Sequence, residues 1–270
     1  MTEARDELIV ESRSAVTTIT LNRPEVLNSM NRPMAAALRA ALDQARRGVA
    51  DGTVRAVVIT GAGRGFCAGA DLGDPALRGS DGKTSVDLGD YLRQNYHPVI
   101  EQMRALPAPI ITAVNGSAAG AGMSLALAGD IVLAARSASF LQAFSRIGLI
   151  PDAGSTYFLP RLVGESRARA LAILADKLSA EQALQFGLVW QVFPDAELQA
   201  AAISMATRLA SLPTRAYGLI KEALNQSLGN DLAGQLEVEA RLQSAAAKTE
   251  DFPEGVAAFL AKRPPAFKGR

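Results

Sequence analysis

At 270 residues the chain is near the upper limit for one hydrophobic core, and its 49% hydrophobic and 20% charged residues exclude a disordered or coiled-coil protein. The 28 Lys and Arg nearly cancel the 27 Asp and Glu, so no strong field draws nucleic acid and any anion must be met by local cations. One cysteine, Cys67, excludes an intramolecular disulfide, and one histidine, His97, leaves metal sites and Ser-His chemistry short of groups; carboxylates and backbone are left to do the chemistry.

Met1 to Glu7 lacks the basic start and apolar core of a secretory signal, so a cytoplasmic location is expected. Leu8–Glu11 and Val16–Leu21 are β-rich runs that predict a hairpin of edge strands turning over Ser12–Ala15. Asn31 predicts the cap of a helix with Pro33 in its first turn and Met34, Leu38 and Leu42 at helical spacing, continuing to about Arg47 before Gly48. Arg55–Thr60 reads as a strand buried on both faces, followed by the Gly-rich segment Gly61–Gly73. Asp74–Asp90, rich in Gly, Asp and Ser, reads as a mobile loop. Leu88–Leu106 predicts a helix ended by Pro107 and Pro109, and Ile110–Val114 a second buried strand. A second Gly-rich loop, Asn115–Gly120, leads into a helix over about Ala121–Ala128, and Ile131–Ala134 is the next strand.

Strand, Gly-rich turn and helix thus recur in order, which points to an α/β protein. Ala118–Ala135 is strongly apolar, yet its glycines and Asp130 fit a helix, turn and strand better than a membrane span. Ser179–Gln182 has the form of a capping box, opening a short helix that Gly187 stops. From about Pro194 to Lys262 helical periodicity takes over, with Leu198, Ile203, Leu209, Leu219, Leu224, Leu232, Leu236 and Leu242 as apolar positions; residues 1–194 are expected to form the α/β core and 195–270 a helical region.

The glycine loops match neither nucleotide fingerprint. Gly61-Ala62-Gly63-Arg64-Gly65 is followed by Phe66 where the dinucleotide pattern needs a small residue, and no Gly-Lys-Ser/Thr is present. Gly122-Met123-Ser124 lacks the closing glycine of a nucleophile elbow. Such loops serve either as tight strand-to-helix turns or as bearers of free N–H groups. One donor from around Ala68 and one from the helix start near Ala121 would form an oxyanion hole for a carbonyl oxygen that gains charge.

Leu21-Asn22-Arg23-Pro24-Glu25, Gly65 to Leu72, Asn115-Gly116, Gly120-Ala121-Gly122, Pro151-Asp152-Ala153-Gly154 and Gly255 to Arg263 together resemble the crotonase, or enoyl-CoA hydratase/isomerase, superfamily over essentially the whole chain. The resemblance implies a core of ββα turns wound as a spiral, a C-terminal helical part for trimerisation, homotrimers or hexamers, and acyl-CoA thioester substrates with no separate cofactor and no metal. It also implies that the N–H groups of Ala68 and Ala121 hold the thioester oxygen, that Ala70, Asp71 and Leu72 lie at the adenine end of CoA, and that Lys262 and Arg263 belong to a tail reaching the CoA phosphates, often across a subunit boundary. The two glutamates of the family's hydratases fall on Ser124 and Phe144, neither of which moves a proton at neutral pH, whereas Asp152 stands where family isomerases carry an aspartate. An apolar setting from Phe144, Leu149 and Ile150 would raise its pKa towards that of a useful proton shuttle.

Within the superfamily, Gly61–Leu72, Asn115–Ser139, Ala143–Pro160, Leu178–Gln182 and Phe259–Arg263 resemble the 1,2-epoxyphenylacetyl-CoA isomerases, which implies rearrangement of a ring epoxide to an oxepin-CoA, movement of a double bond between the 3 and 2 positions of an enoyl-CoA, or both. The competing readings are an enoyl-CoA hydratase or acyl-CoA hydrolase, and a non-catalytic acyl-CoA-binding member. His97 before Pro98 and Cys67 between Phe66 and Ala68 read as packing residues. Tyr91 and Tyr96 read equally as core or as acyl-pocket wall.

Overall fold

The computed structural model describes residues 6–77 and 86–270. The mobile-loop expectation for Asp74–Asp90 falls partly on residues 78–85, and the leader reading on residues 1–5; both stretches lie outside the described residues. Strands β1 (Leu8–Arg13) and β2 (Val16–Leu21) form the expected hairpin, but β1 runs on through Ser12 and Arg13 because the turn needs only Ser14 and Ala15, both left-handed at φ 51° and 60°. Only β1 is an edge, since β2 pairs on its other side with β3 (Ala56–Gly61). Helix α1 (Arg32–Asp51) is capped by Asn31 Oδ1, which accepts from the Met34 N–H, and it passes the predicted stop at Gly48. A Cβ at Gly48 would lie 2.5 Å from Val54 Cγ2, so this glycine permits helix packing, and Gly52 in the left-handed region ends the helix instead.

Three strand pairs follow, each closed by a helix: β3 with β4 (Gly65–Cys67) and α2 (Leu88–Ala105), β5 (Ile110–Val114) with β6 (Ser117–Ala119) and α3 (Ala121–Leu127), and β7 (Ile131–Ala135) with β8 (Ser139–Leu141) and α4 (Ser155–Val163). The first strand of every pair enters a six-stranded sheet and the second a four-stranded one. The chain therefore winds as a spiral between two sheets, the ββα architecture expected from the resemblance. Helix α5 (Glu165–Leu174), strand β9 (Leu178–Ser179), helix α6 (Ala180–Gln185) and strand β10 (Gln191–Phe193) complete the sheets in the orders β1-β2-β3-β5-β7-β10 and β4-β6-β8-β9. Ser179 and Gln182 form the predicted reciprocal cap of α6.

Helices α7 (Leu198–Ala210), α8 (Thr214–Ser227), α9 (Leu232–Ala246) and α10 (Asp251–Leu260) supply the C-terminal region. They do not all lie outside the core: Leu198, Ala202, Ala206 and Ala210 of α7 are buried in the main hydrophobic cluster against the six-stranded sheet. Helix α8 is tied in by Lys221, a buried side chain whose Nζ donates to the carbonyls of Met103 (3.2 Å) and Ala108 (3.0 Å) and pairs with Asp130 Oδ2 at 2.7 Å. Asp130 also accepts the Ile110 N–H at 2.8 Å, so this pair joins α8 to the start of β5. Leu219 and Leu242 are buried as expected, whereas Leu224, Leu232 and Leu236 are 64%, 75% and 54% exposed. The apolar stretch Ala118–Ala135 resolves into parts of β6, α3 and β7, and among the described residues no helix is long and apolar enough to cross a membrane.

Candidate active site

The two Gly-rich loops meet, and Asn115 joins them. Its Oδ1 accepts the Gly61 N–H (3.0 Å) and its Nδ2 donates to the Gly63 carbonyl (3.0 Å), while Asn28 Nδ2 donates to Ala62 and Gly65 from the other side. The first turn of α3 is pressed on β4 so closely that a Cβ at Gly122 would stand 2.1 Å from the Cys67 carbonyl oxygen. Gly69 is required twice over: its φ is +97°, and a Cβ there would sit 2.8 Å from the Ala119 oxygen and 3.4 Å from the Ala121 nitrogen. The segment after β4 thus lies directly against the start of α3.

Which N–H groups are free there follows from the hydrogen bonds. The Ala68 N–H donates to the Leu27 carbonyl at 2.9 Å, so it is not free to be the oxyanion donor expected of it. In the parallel bridge between Met30 and Ala70, the Met30 N–H donates to Gly69 and the Met30 carbonyl accepts from Asp71. That pattern turns Ala70's own N–H away from Met30. Among the described residues no backbone carbonyl takes the N–H of Ala70 or of Ala121, the first residue of α3. Ala70 and Ala121 thus each present an N–H that no backbone carbonyl among the described residues engages.

Ala70 lines a cavity of about 930 Å³ together with Asp152. Leu72, Leu77, Leu88, Leu92, Leu149 and Ile150 make its walls largely apolar. Asp152 is the one carboxylate among the described residues lining it; Asp152 Oδ1 is buried without a hydrogen-bond partner, and no described Lys, Arg or His pairs with it. Burial with nothing to offset it pushes the carboxyl up to about 6. Its direction is set by the chain: Pro151 precedes it, and Ala153 and Gly154 follow in the left-handed region at φ 48° and 84°. For Ala153 that conformation costs about 1 kcal/mol. The Asp152 carbonyl accepts both the Ser155 N–H and the Ser124 hydroxyl, each at 2.9 Å.

Leu149 and Ile150 face the cavity as expected, but Phe144 does not; its ring lies beside Gly120, where a Cβ would be 3.7 Å from Cζ. Asp71 is committed elsewhere, with Oδ2 paired to Arg23 at 2.9 Å and Oδ1 accepting the Gly73 N–H. Tyr91 and Tyr96 both line the cavity, edge-to-face with centroids 5.6 Å apart. Their hydroxyls are spent on Asp74 Oδ2 (3.1 Å) and the Met30 carbonyl (2.8 Å), so they offer the cavity rings and not free donors. His97 reaches the cavity wall, which its sequence context did not signal. Cys67 is fully buried and its thiol is pushed up to about 12, which removes it as a nucleophile. Lys262 is exposed and lies outside this cavity, while Arg263 is held by both oxygens of Glu254 at 2.7 and 2.9 Å. Among the described residues no group of three or more His, Cys, Asp or Glu side chains is placed to hold a metal.

The sequence profile of the enoyl-CoA hydratase/isomerase family matches residues 11–270. A 1,2-epoxyphenylacetyl-CoA isomerase of Escherichia coli K12 is 50% identical over 255 residues, covering 94% of this chain and 95% of that protein. A protein of Rhodobacter capsulatus named "Probable enoyl-CoA hydratase" is 47% identical over 260 residues, covering 96% and 97%. The crystal structure of an enoyl-CoA hydratase from Bacillus anthracis superposes with a TM-score of 0.89 at 34% identity, covering 98% of this chain and all of that one. Fold, profile and relatives agree over nearly the full length, and the chain belongs to the enoyl-CoA hydratase/isomerase family.

Proposed function

We propose that the protein is an acyl-CoA isomerase that uses Asp152 as a single proton shuttle and the N–H groups of Ala70 and Ala121 as its oxyanion hole. The observation that carries this reading is the lone, unpaired, buried carboxylate in a largely apolar cavity beside two unengaged backbone donors. Hydration by acid and base together needs a second proton-carrying group, and Ser124 and Phe144 occupy the positions where the resembling hydratases carry glutamates.

Two N–H groups on the thioester oxygen stabilise the negative charge that collects there as a proton leaves C2. The Asp152 carboxylate accepts that proton, leaving a dienolate whose charge rests on the thioester oxygen. The protonated Asp152 then returns a proton to C4, where the C3–C4 π pair forms the new C–H bond while the enolate electrons become the C2–C3 double bond and the thioester carbonyl is restored. The product is the 2-enoyl-CoA, and atoms and charge balance with no co-reactant. With an epoxide of a phenylacetyl-CoA, the same acid assists ring rearrangement; the aromatic edges of Tyr91 and Tyr96 suit a flat ring.

The CoA moiety is met, in this proposal, by Ala70 and Leu72 on one chain and by Lys262 of a neighbouring copy, since Lys262 lies outside its own chain's cavity. A homotrimer or a hexamer of paired trimers fits the exposed apolar side chains of the C-terminal helices, among them Leu232 (75%), Phe259 (83%) and Leu260 (75%). Lys262→Glu is expected to raise KM for acyl-CoA several-fold with kcat within twofold, measured by steady-state kinetics; an unchanged KM removes Lys262 from the site.

The reading is tested by incubating the purified protein with a 3-enoyl-CoA and with epoxyphenylacetyl-CoA, following mass and absorbance. An isomer of unchanged mass is the expected product. A gain of water establishes a hydratase, free CoA a hydrolase, and tight binding without turnover a non-catalytic acyl-CoA-binding protein.

A further inference from the structure

Asp152 is aimed with little help from its own side chain. One carboxylate oxygen is buried and unpartnered, so no side-chain hydrogen bond fixes that oxygen, and the direction of the group depends on the backbone of 151–154. That segment carries the strained Ala153 and is hydrogen-bonded to the oxyanion side of the site at one point among the described residues, the Ser124 hydroxyl on the Asp152 carbonyl. Ser124 is fully buried. Its hydroxyl has a second neighbour, the Gly120 carbonyl at 3.4 Å, but a single proton goes to the nearer and better acceptor at 2.9 Å. Ser124 also lies in α3, whose first residue is Ala121.

We propose that Ser124 is a positioning residue for the reaction: its hydroxyl couples the segment carrying the proton shuttle to the helix carrying an oxyanion donor, and so holds the distance between base and thioester oxygen. This rests on the proposed roles of Asp152 and Ala121. Proton transfer is sensitive to placement on the scale of 1 Å, and a misplacement of that size costs as much as 10²-fold. A hydroxyl reaching from one turn of a rigid, wholly buried helix is a suitable brace, because α3 is packed on β4 with no room to shift. The position that holds a glutamate in the resembling hydratases thereby serves placement, without carrying a proton itself.

Removing the hydroxyl frees the 151–154 backbone to relax and lets water reach the unpartnered carboxylate oxygen. Ser124→Ala is therefore expected to lower kcat for 3-enoyl-CoA isomerisation about tenfold with KM within twofold, and to move the acid limb of the kcat profile down by at least half a pH unit as Asp152 becomes better solvated. A residue that served only packing would move Tm and leave that limb in place. Ser124→Cys, with similar volume and a weaker donor, is expected to fall between the two and provides the same comparison should the alanine variant not fold. A kcat within twofold of wild type with an unmoved limb, in whichever of the two variants folds, overturns the proposal. Asp152→Asn assayed in parallel separates the two levels: if it is inactive while Ser124→Ala is normal, the Ser124 role alone fails, whereas an active Asp152→Asn overturns the shuttle on which that role depends.

Discussion

Asp152→Asn is expected to lower isomerase turnover by about 10³-fold, within the range that a positioned acid-base group contributes, while binding of free CoA stays within twofold. The amide is close to isosteric with the carboxylic acid, so the cavity keeps its shape and only proton acceptance is lost. The wild-type pH profile follows from the same residue. A base must be ionised to take the C2 proton, and burial holds Asp152 at about 6, so kcat/KM is expected to rise with pH through about 6 and then level off. Stability runs the other way. The fold prefers the protonated acid, so this group's favourable contribution is complete below its ordinary value of 3.8 and is lost as pH rises through about 6. The displacement corresponds to about 3 kcal/mol at neutral pH. Asp152→Asn should therefore melt higher than wild type above pH 6 and match it below pH 4. A variant with turnover within tenfold of wild type, or a wild-type profile flat between pH 5 and 7, would remove Asp152 as the shuttle.

Long, strongly patterned segments were legible in the sequence. Ile110–Val114 is a strand with the bounds its apolar run predicts, and Asn31 caps α1 as expected, accepting the Met34 N–H. The four-stranded sheet was not legible, because β4, β6 and β8 have three residues each and β9 two, too few for alternation to register. Gly48 misled because a glycine that ends a helix and one that lets a neighbour approach look the same in sequence; only φ and the proximity of Val54 separate them. Leu224, Leu232 and Leu236 keep helical spacing yet point into solvent, since periodicity reports an apolar face and not what covers it. At the candidate site, Pro151-Asp152-Ala153-Gly154 pointed to the carboxylate that the structure places on the cavity wall, and the Gly-rich loops to the segments that the structure brings together. Which of Ala68 and Ala70 keeps an unengaged N–H lay beyond sequence: residues two apart in an extended segment present their N–H groups to the same side, and what separates these two is Gly69 between them, at φ 97°, together with the bonds to Leu27 and Met30. The brace from Ser124 was likewise hidden, because its partner is a backbone carbonyl 28 residues away.

Ala121→Pro is expected to cut kcat by 10²–10³-fold, about 3–4 kcal/mol of transition-state stabilisation, by deleting one oxyanion donor. A backbone N–H is beyond the reach of ordinary side-chain substitution, but this one occupies the position where proline is tolerated. Ala121 opens α3, so its N–H has no carbonyl in the preceding turn to lose, and a helical φ already suits the ring. The residue before a proline must avoid the helical region, and Gly120, at φ 51° and ψ −128°, sits in the mirror image of the extended conformation that only glycine adopts freely. The fold should consequently hold, with Tm within a few degrees of wild type. Ala121→Ser keeps the N–H and serves as the control, with kcat expected within fivefold. Because the proline ring takes the place of the lost hydrogen, KM for the thioester should also rise, whereas the affinity for free CoA, which has no thioester oxygen, should stay within twofold. Loss of turnover with intact CoA binding locates the defect at the carbonyl; a proline variant with kcat within threefold of wild type would show that the thioester oxygen is held somewhere other than the start of α3.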